Sequence, residues 1–136
     1  MKRDHIKIVF PTNDLATVNA KFDNSTYLAV YDVSVDTSEF IHAAQFDPET
    51  SADEQLQERC NISDGSSLLF TFGQLGGLAA FHMVNNKIFA IKIGAPESIE
   101  ALIAKTQDMM SGNPPLWLKR ALNKDQADQE SKEVSL

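Results

Sequence analysis

The stretch from Leu68 to Ile93 is the feature that most limits what this chain can fold into. Leu68 to Phe72 is an unbroken apolar run, the pattern of a strand buried on both faces. Gly73, Gly76 and Gly77 then interrupt it, as glycines do where backbone turns tightly or lies open to a ligand. From Leu78 to Val84 the apolar spacing becomes helical, and Asn85-Asn86 closes the helix. Ile88 to Ile93 is a second apolar run with β-branched residues. Strand, loop, helix and strand in so short a span make a βαβ unit. Its crossover is right-handed in nearly all proteins, and its two strands are expected to be parallel and buried.

Upstream, Ile6 to Pro11 reads as a central strand whose pairing stops at Pro11. The polar segment from Thr12 to Ser25 is long for an idle connection, with Asn and Asp at its turn positions. Thr26 to Ser34 and Glu39 to Phe46 have β composition around a short turn and form a hairpin. Ser51, with Glu54 three residues on, has the form of a capping box. It starts a helix of about ten residues through Leu56 and Cys60, which Asp64-Gly65 stops. After the βαβ unit, Ser98 caps a helix whose apolar face is Ile99, Leu102, Ile103 and Met110. Gly112 to Pro115 ends it, and Leu116 to Leu122 forms a last short helix anchored by Trp117, Leu118 and Leu122. Residues 1–123 are thus expected to be a single α/β domain, and 124–136 a disordered polar tail. The element order predicts a mixed five-stranded sheet, three antiparallel strands followed by the parallel βαβ, flanked by helices. That is a ribonuclease H-like arrangement with the first strand central.

Composition narrows the role. A chain of 136 residues suits one domain, and a formal net charge of -7 disfavours a sequence-independent grip on nucleic acid, which needs a basic face. Its single cysteine, Cys60, cannot form an intramolecular disulfide and fits a reducing compartment. No apolar signal region opens the chain, and no run approaches the length of a membrane span, so a cytoplasmic location is expected.

If the first strand and Leu68–Phe72 lie side by side, two loops leave the sheet at one carboxyl edge. These are the loop beginning at Thr12 and Asn13 and the loop holding Gly73, Gln74, Gly76 and Gly77. Open α/β sheets bind ligands at such an edge. The helix from Gly77 points its amino end there, offering N–H groups to an anion. The glycine spacing matches neither a P-loop nor GxGxxG, and close packing of helix on sheet is an equally good reason for Gly76-Gly77. Among soft and basic side chains, Cys60, His5, His42 and His82 show no CxxC or HxxxH spacing. Cys60 falls toward the amino edge and reads as a small apolar helix residue. His82 is either a solvated helix position or close enough to approach the ligand edge. Asp14, Asp32 and Asp36 read as turn or strand-end residues. Without a carboxylate cluster, nucleophile elbow or Cys–His pair, the pattern supports no catalysis.

Three stretches together resemble the NifX and dinitrogenase iron–molybdenum cofactor-binding family. The first runs from Ile8 to Asp14, through Val18 to Ser25, into Tyr27 to Val33. The second is Gly76 to Ala80 ahead of Lys87 to Ile93, and the third is Asn113 to Leu122. The resemblance implies a non-enzymatic carrier. It would transiently hold an iron–sulfur cluster precursor of the iron–molybdenum cofactor, or that cofactor itself, and exchange it with nitrogenase cofactor-assembly proteins. It implies no nucleic acid and no membrane, in a monomer or weak dimer. Where relatives commonly place His before Phe-Gly, this chain has Lys21 before Phe22-Asp23. Where many open the last strand with His-Pro it has Phe89-Ala90, and Ser66 stands where a cysteine is often found. Holding then falls to Lys21, Phe22, the glycine-loop backbone and His82, with Cys60 the next iron ligand. A protonated lysine attracts an anion but cannot coordinate iron. The other expectation is an interaction module that keeps the fold without the cluster and uses Trp117, the last helix or the acidic tail.

Overall fold

The computed structural model describes residues 5–112, with Pro114, Leu116, Leu118 and Lys119 beyond them. In chain order the elements are β1 (Ile6–Thr12), β2 (Thr17–Val18), β3 (Tyr27–Val33), β4 (Ser38–Gln45), α1 (Ala52–Ser63), β5 (Leu68–Phe72), α2 (Gly77–Asn85), β6 (Phe89–Ile93), β7 (Glu97–Ser98) and α3 (Ile99–Ser111). The main sheet has five strands in the order β4-β3-β1-β5-β6, with β1 central as the sequence predicts. β3 is antiparallel to both β1 and β4, whereas β5 runs parallel to both β1 and β6.

Alternation along the central strands divides the core between two faces. Ile6, Ile8, Phe10, Leu68 and Phe70 pack with Ile99, Leu102 and Ile103 of α3, and Leu118 joins them. Val9 and Leu69 turn to the other face, against Cys60 of α1 and Ala79 and Met83 of α2. Phe10 stacks on Phe70 at 5.7 Å and meets Tyr31 edge-on at 5.5 Å. The helix starts obey their caps. Ser51 Oγ accepts from Glu54 N at 3.2 Å, and Ser98 Oγ accepts from Ala101 N at 3.0 Å.

Three details differ from the sequence reading. Pairing of β1 with β5 stops before Pro11, which has no N–H, yet the register with β3 continues through Pro11 to Thr12. β6 is an edge strand with Phe89 and Lys92 exposed, so only the first strand of the βαβ unit is buried on both faces. The loop after β1 is also partly ordered by pairing. β2 joins β7 in a small antiparallel sheet, and Ile99 N donates to Ala16 O at 2.9 Å. The expected Trp117 anchor and the polar tail lie outside the described residues. No described helix is long and apolar enough to cross a membrane.

Candidate functional site

The parallel arrangement of β1, β5 and β6 brings the loop after β1 and the loop after β5 to one edge, as expected. They do not stand apart as two walls of a cleft. Phe22 N donates to Thr71 Oγ1 at 3.1 Å, Phe72 N to Ala20 O at 3.3 Å, and Gly76 N to the Asp23 carboxylate at 2.8 Å. The Lys21 stem lies across Gly73, its Cε 3.2 Å from where a β-carbon would stand. The two loops form one continuous surface.

Each glycine at that surface has its own physical reason. Gly73 has φ +84°, a left-handed conformation natural to glycine. Gly76 is small because a β-carbon there would stand 2.6 Å from Asp23 Oδ2. Gly77, the first residue of α2, has neither reason: its missing β-carbon would face open space. Helix packing therefore does not explain it. No side chain caps α2, whereas α1 and α3 are each capped by their own serine. Beside this exposed helix start lies a shallow hollow of about 240 Å³, lined by Thr71, Gly73, Gln74, Leu75, Ala80, Ala90 and Lys92. Lys21 lies against Gly73 and Lys92 lines the same hollow as that glycine, and among the described ion pairs neither takes part. Lys92 escapes a sequence reading because a lysine in an apolar strand looks like ordinary edge protection. Only the crossover shows that it lines a hollow shared with the glycine that Lys21 covers.

Other expected site residues are committed elsewhere. Thr12 is buried; its hydroxyl donates to Asp14 Oδ1 at 3.1 Å and accepts from Leu15 N at 2.9 Å. Asn13 Oδ1 accepts from Thr26 N at 3.0 Å. Both brace the loop. At its centre the Asp14 carboxylate is held down to about 2, because the backbone N–H groups of Ala16 and Thr17 and the Thr17 hydroxyl donate to its charged form. Phe22 is fully buried in the core. Gln74 is exposed at the hollow.

Of the two candidate iron ligands, His82 pairs away from this edge and Cys60 is buried. His82 Nε2 stands 2.8 Å from Asp64 Oδ1, in the turn that precedes β5, and its ring neighbours the Asn86 amide. Asp64 and Gly73 lie at opposite ends of β5, roughly 16 Å apart by strand rise. His82 thus pairs at the amino edge, because α2 runs from the glycine loop back down the sheet. Cys60 is buried in the same layer, its thiol pushed up first by burial and then by the charges of Asp64 and Asp23. His5 Nδ1 lies 3.4 Å from Asp32, and His42 is exposed on edge strand β4. Among the described residues, no three His, Cys, Asp or Glu side chains converge on a point where a metal ion could sit.

The loop's position depends on a residue the sequence reading passed over. Arg59 of α1 is fully buried and joins none of the described ion pairs, and burial lowers its pKa against the opposing charges of Asp23 and Glu58. Its guanidinium donates to Ser25 Oγ at 2.8 Å, Ser25 O at 2.7 Å and Gln55 Oε1 at 3.2 Å, and lies 4.0 Å from the Phe46 ring centre. It pins the end of the loop that carries Lys21 and Asp23.

Fold and site together define a small α/β domain with a glycine-rich, lysine-flanked carboxyl edge and no converging metal-ligand set among its described side chains. The chain belongs to the dinitrogenase iron–molybdenum cofactor family, whose model matches residues 4–109. It is 32% identical over 125 residues to protein NifX of Sinorhizobium fredii (strain NBRC 101917 / NGR234), covering 86% of this chain and 78% of that one. It is 27% identical to protein NifX of Herbaspirillum seropedicae, over 92% of this chain and 87% of that one. It is 28% identical to protein NifX of Rhodobacter capsulatus, over 86% and 77%. Among solved structures, the crystal structure of PH0822 shares the fold with a TM-score of 0.60 at 18% identity, covering 76% of this chain and 89% of that one.

Proposed function

We propose that this domain takes part in assembly of the nitrogenase iron–molybdenum cofactor by holding an anionic iron–sulfur precursor at its carboxyl edge and passing it on. It does so as a cytoplasmic, non-catalytic carrier on a ribonuclease H-like fold. The observation that carries this reading is Gly77. It stands at the start of α2, which has no side-chain cap, with open space where its side chain would be, beside two lysines that join none of the described ion pairs. A bulky anion can approach that backbone closely, taking the helix-start N–H groups that follow Gly76, whose own N–H is already given to the Asp23 carboxylate, on one side and Lys21 and Lys92 on the other. Family membership supports a cofactor-related cargo. The absence of converging ligands among the described residues suits a cargo held electrostatically and released readily.

Gly77→Ala separates binding from folding. A methyl at an unstrained helical position stabilises the fold by about 0.5–1 kcal/mol, yet it covers the backbone the cargo must approach. The expected result is an unchanged or raised urea midpoint together with weakened anaerobic uptake, read from iron content and visible absorption. Exposed lysines contribute about 0.5–1 kcal/mol each, so Lys21→Ala with Lys92→Ala should weaken uptake by about tenfold. Equal uptake by wild type and all variants would place the cargo elsewhere. No uptake by the wild type would favour an interaction module that keeps the fold without the cluster.

A further inference from the structure

α2 contains no Lys, Arg, Asp or Glu, and it turns Leu78, Phe81 and Val84 to solvent at 71%, 66% and 76% exposure. Spaced three apart, these residues share the face opposite Ala79 and Met83, which are buried in the core. Surface helices ordinarily place polar side chains there. Three large apolar side chains side by side form a patch of the size that marks interaction sites.

Its place and surroundings select the occupant. Leu78 directly follows Gly77, so whatever covers the patch stands at the mouth of the proposed cargo edge. A second copy is a poor occupant. Three side chains from each chain fall well short of the roughly 800 Å² per partner of a stable interface, and both copies carry a net charge of -7. At the amino end of the patch, Lys21 and Lys92, which the cargo vacates as it is handed over, complement carboxylates of the acceptor. We infer that the outward face of α2 is the surface on which this domain docks transiently onto the protein that receives its cargo, entering an apolar hollow edged with carboxylates. The inference rests on the carrier reading above and gives it a direction of hand-over. A small contact area suits it, because a carrier must leave after each transfer.

The test loads the full chain anaerobically and mixes it with cofactor-free dinitrogenase. Iron transferred is measured after separation for wild type, Phe81→Asp, the double variant Leu78→Ser with Val84→Ser, and the conservative Phe81→Leu. The expected result is equal loading by all four. Transfer from Phe81→Asp and from the double variant falls at least tenfold and recovers at high acceptor concentration, while Phe81→Leu transfers near the wild-type rate. Normal loading with unchanged transfer rates overturns the docking surface, as does wild-type protein that loads but gives nothing to the acceptor. So does sedimentation showing a wild-type dimer that Phe81→Asp disperses, which assigns the patch to a second copy. Wild-type binding to phosphatidylglycerol vesicles that Phe81→Asp abolishes would assign it to a lipid surface. A wild-type chain that never loads strikes the carrier reading itself, which equal loading by the four proteins keeps apart from the docking result.

Discussion

Asp14 shows how much of the ligand-edge loop is held by a single side chain. Its carboxylate collects the N–H groups of Ala16 and Thr17 and the hydroxyls of Thr12 and Thr17. That knot supports Leu15 at φ +64°, a conformation few non-glycine residues adopt. The donors favour the charged form and depress the carboxyl from 3.8 to about 2. A folded-state pKa below the unfolded one means that the contribution is complete above about pH 4 and disappears as pH falls toward 2. Urea midpoints measured between pH 5 and 2 should therefore fall more steeply for wild type than for Asp14→Asn, and the two curves should converge at the acid end. Parallel curves would show that the knot does not stabilise the native chain. Asp23 works differently: its carboxylate reaches across 53 positions to Gly76 N and sets that glycine's size limit. Local pattern cannot reveal such a pair, because neither residue's immediate neighbours mention the other.

At the scale of elements, what the sequence showed and what it hid separate by the range of the forces involved. The caps of α1 and α3, the buried run of β5 and the centrality of β1 follow from spacing within a few residues, and all were readable. The β2–β7 pair was not, because two-residue strands carry no periodicity and 78 intervening positions separate Val18 from Glu97. The orientation of α2 decides between the two readings of His82 left open by the sequence, a solvated helix position and the ligand edge, by pairing it at the amino edge. The glycine loop fixes where the helix starts, but only packing of Ala79 and Met83 decides that His82 meets Asp64. Arg59 was hidden because α1 shows little apolar periodicity; its anchor is a buried cation. Arg59→Leu keeps much of the volume but leaves the Ser25 carbonyl and hydroxyl without their donor, at a cost of about 1–3 kcal/mol. Urea unfolding should show that loss, and amide exchange should speed up at Lys21 to Ser25 while α3 exchanges as before. A variant as stable as wild type with unchanged exchange would deny Arg59 its hold on the loop.

Across the whole molecule, the sheet separates two chemistries by the length of β5. Lys21, Lys92 and the start of α2 gather at the carboxyl edge. His82 and Asp64 belong to the amino edge, and Cys60 is buried behind them. Of the soft ligands that sequence reasoning would give to iron, His82 thus pairs at the opposite end of β5 from the lysines and Cys60 is enclosed in the core. If the carboxyl edge holds the cargo by charge, Cys60→Ala and His82→Gln should load as wild type does. Wild-type loading should fall as salt rises, since exposed charges are screened beyond about 8 Å at physiological ionic strength. Burial also keeps the Cys60 thiol protonated and inaccessible, so an aromatic disulfide reagent should label it only as the chain unfolds. Its labelling rate in native protein should rise with urea in step with global unfolding and not respond to cargo beyond any gain in stability. Loading that resists salt but is lost in Cys60→Ala or His82→Gln would reverse the assignment. It would require α1 and α2 to part so that these side chains could reach iron, and the separation of Asp64 from Gly73 would then measure how far the native layers must rearrange.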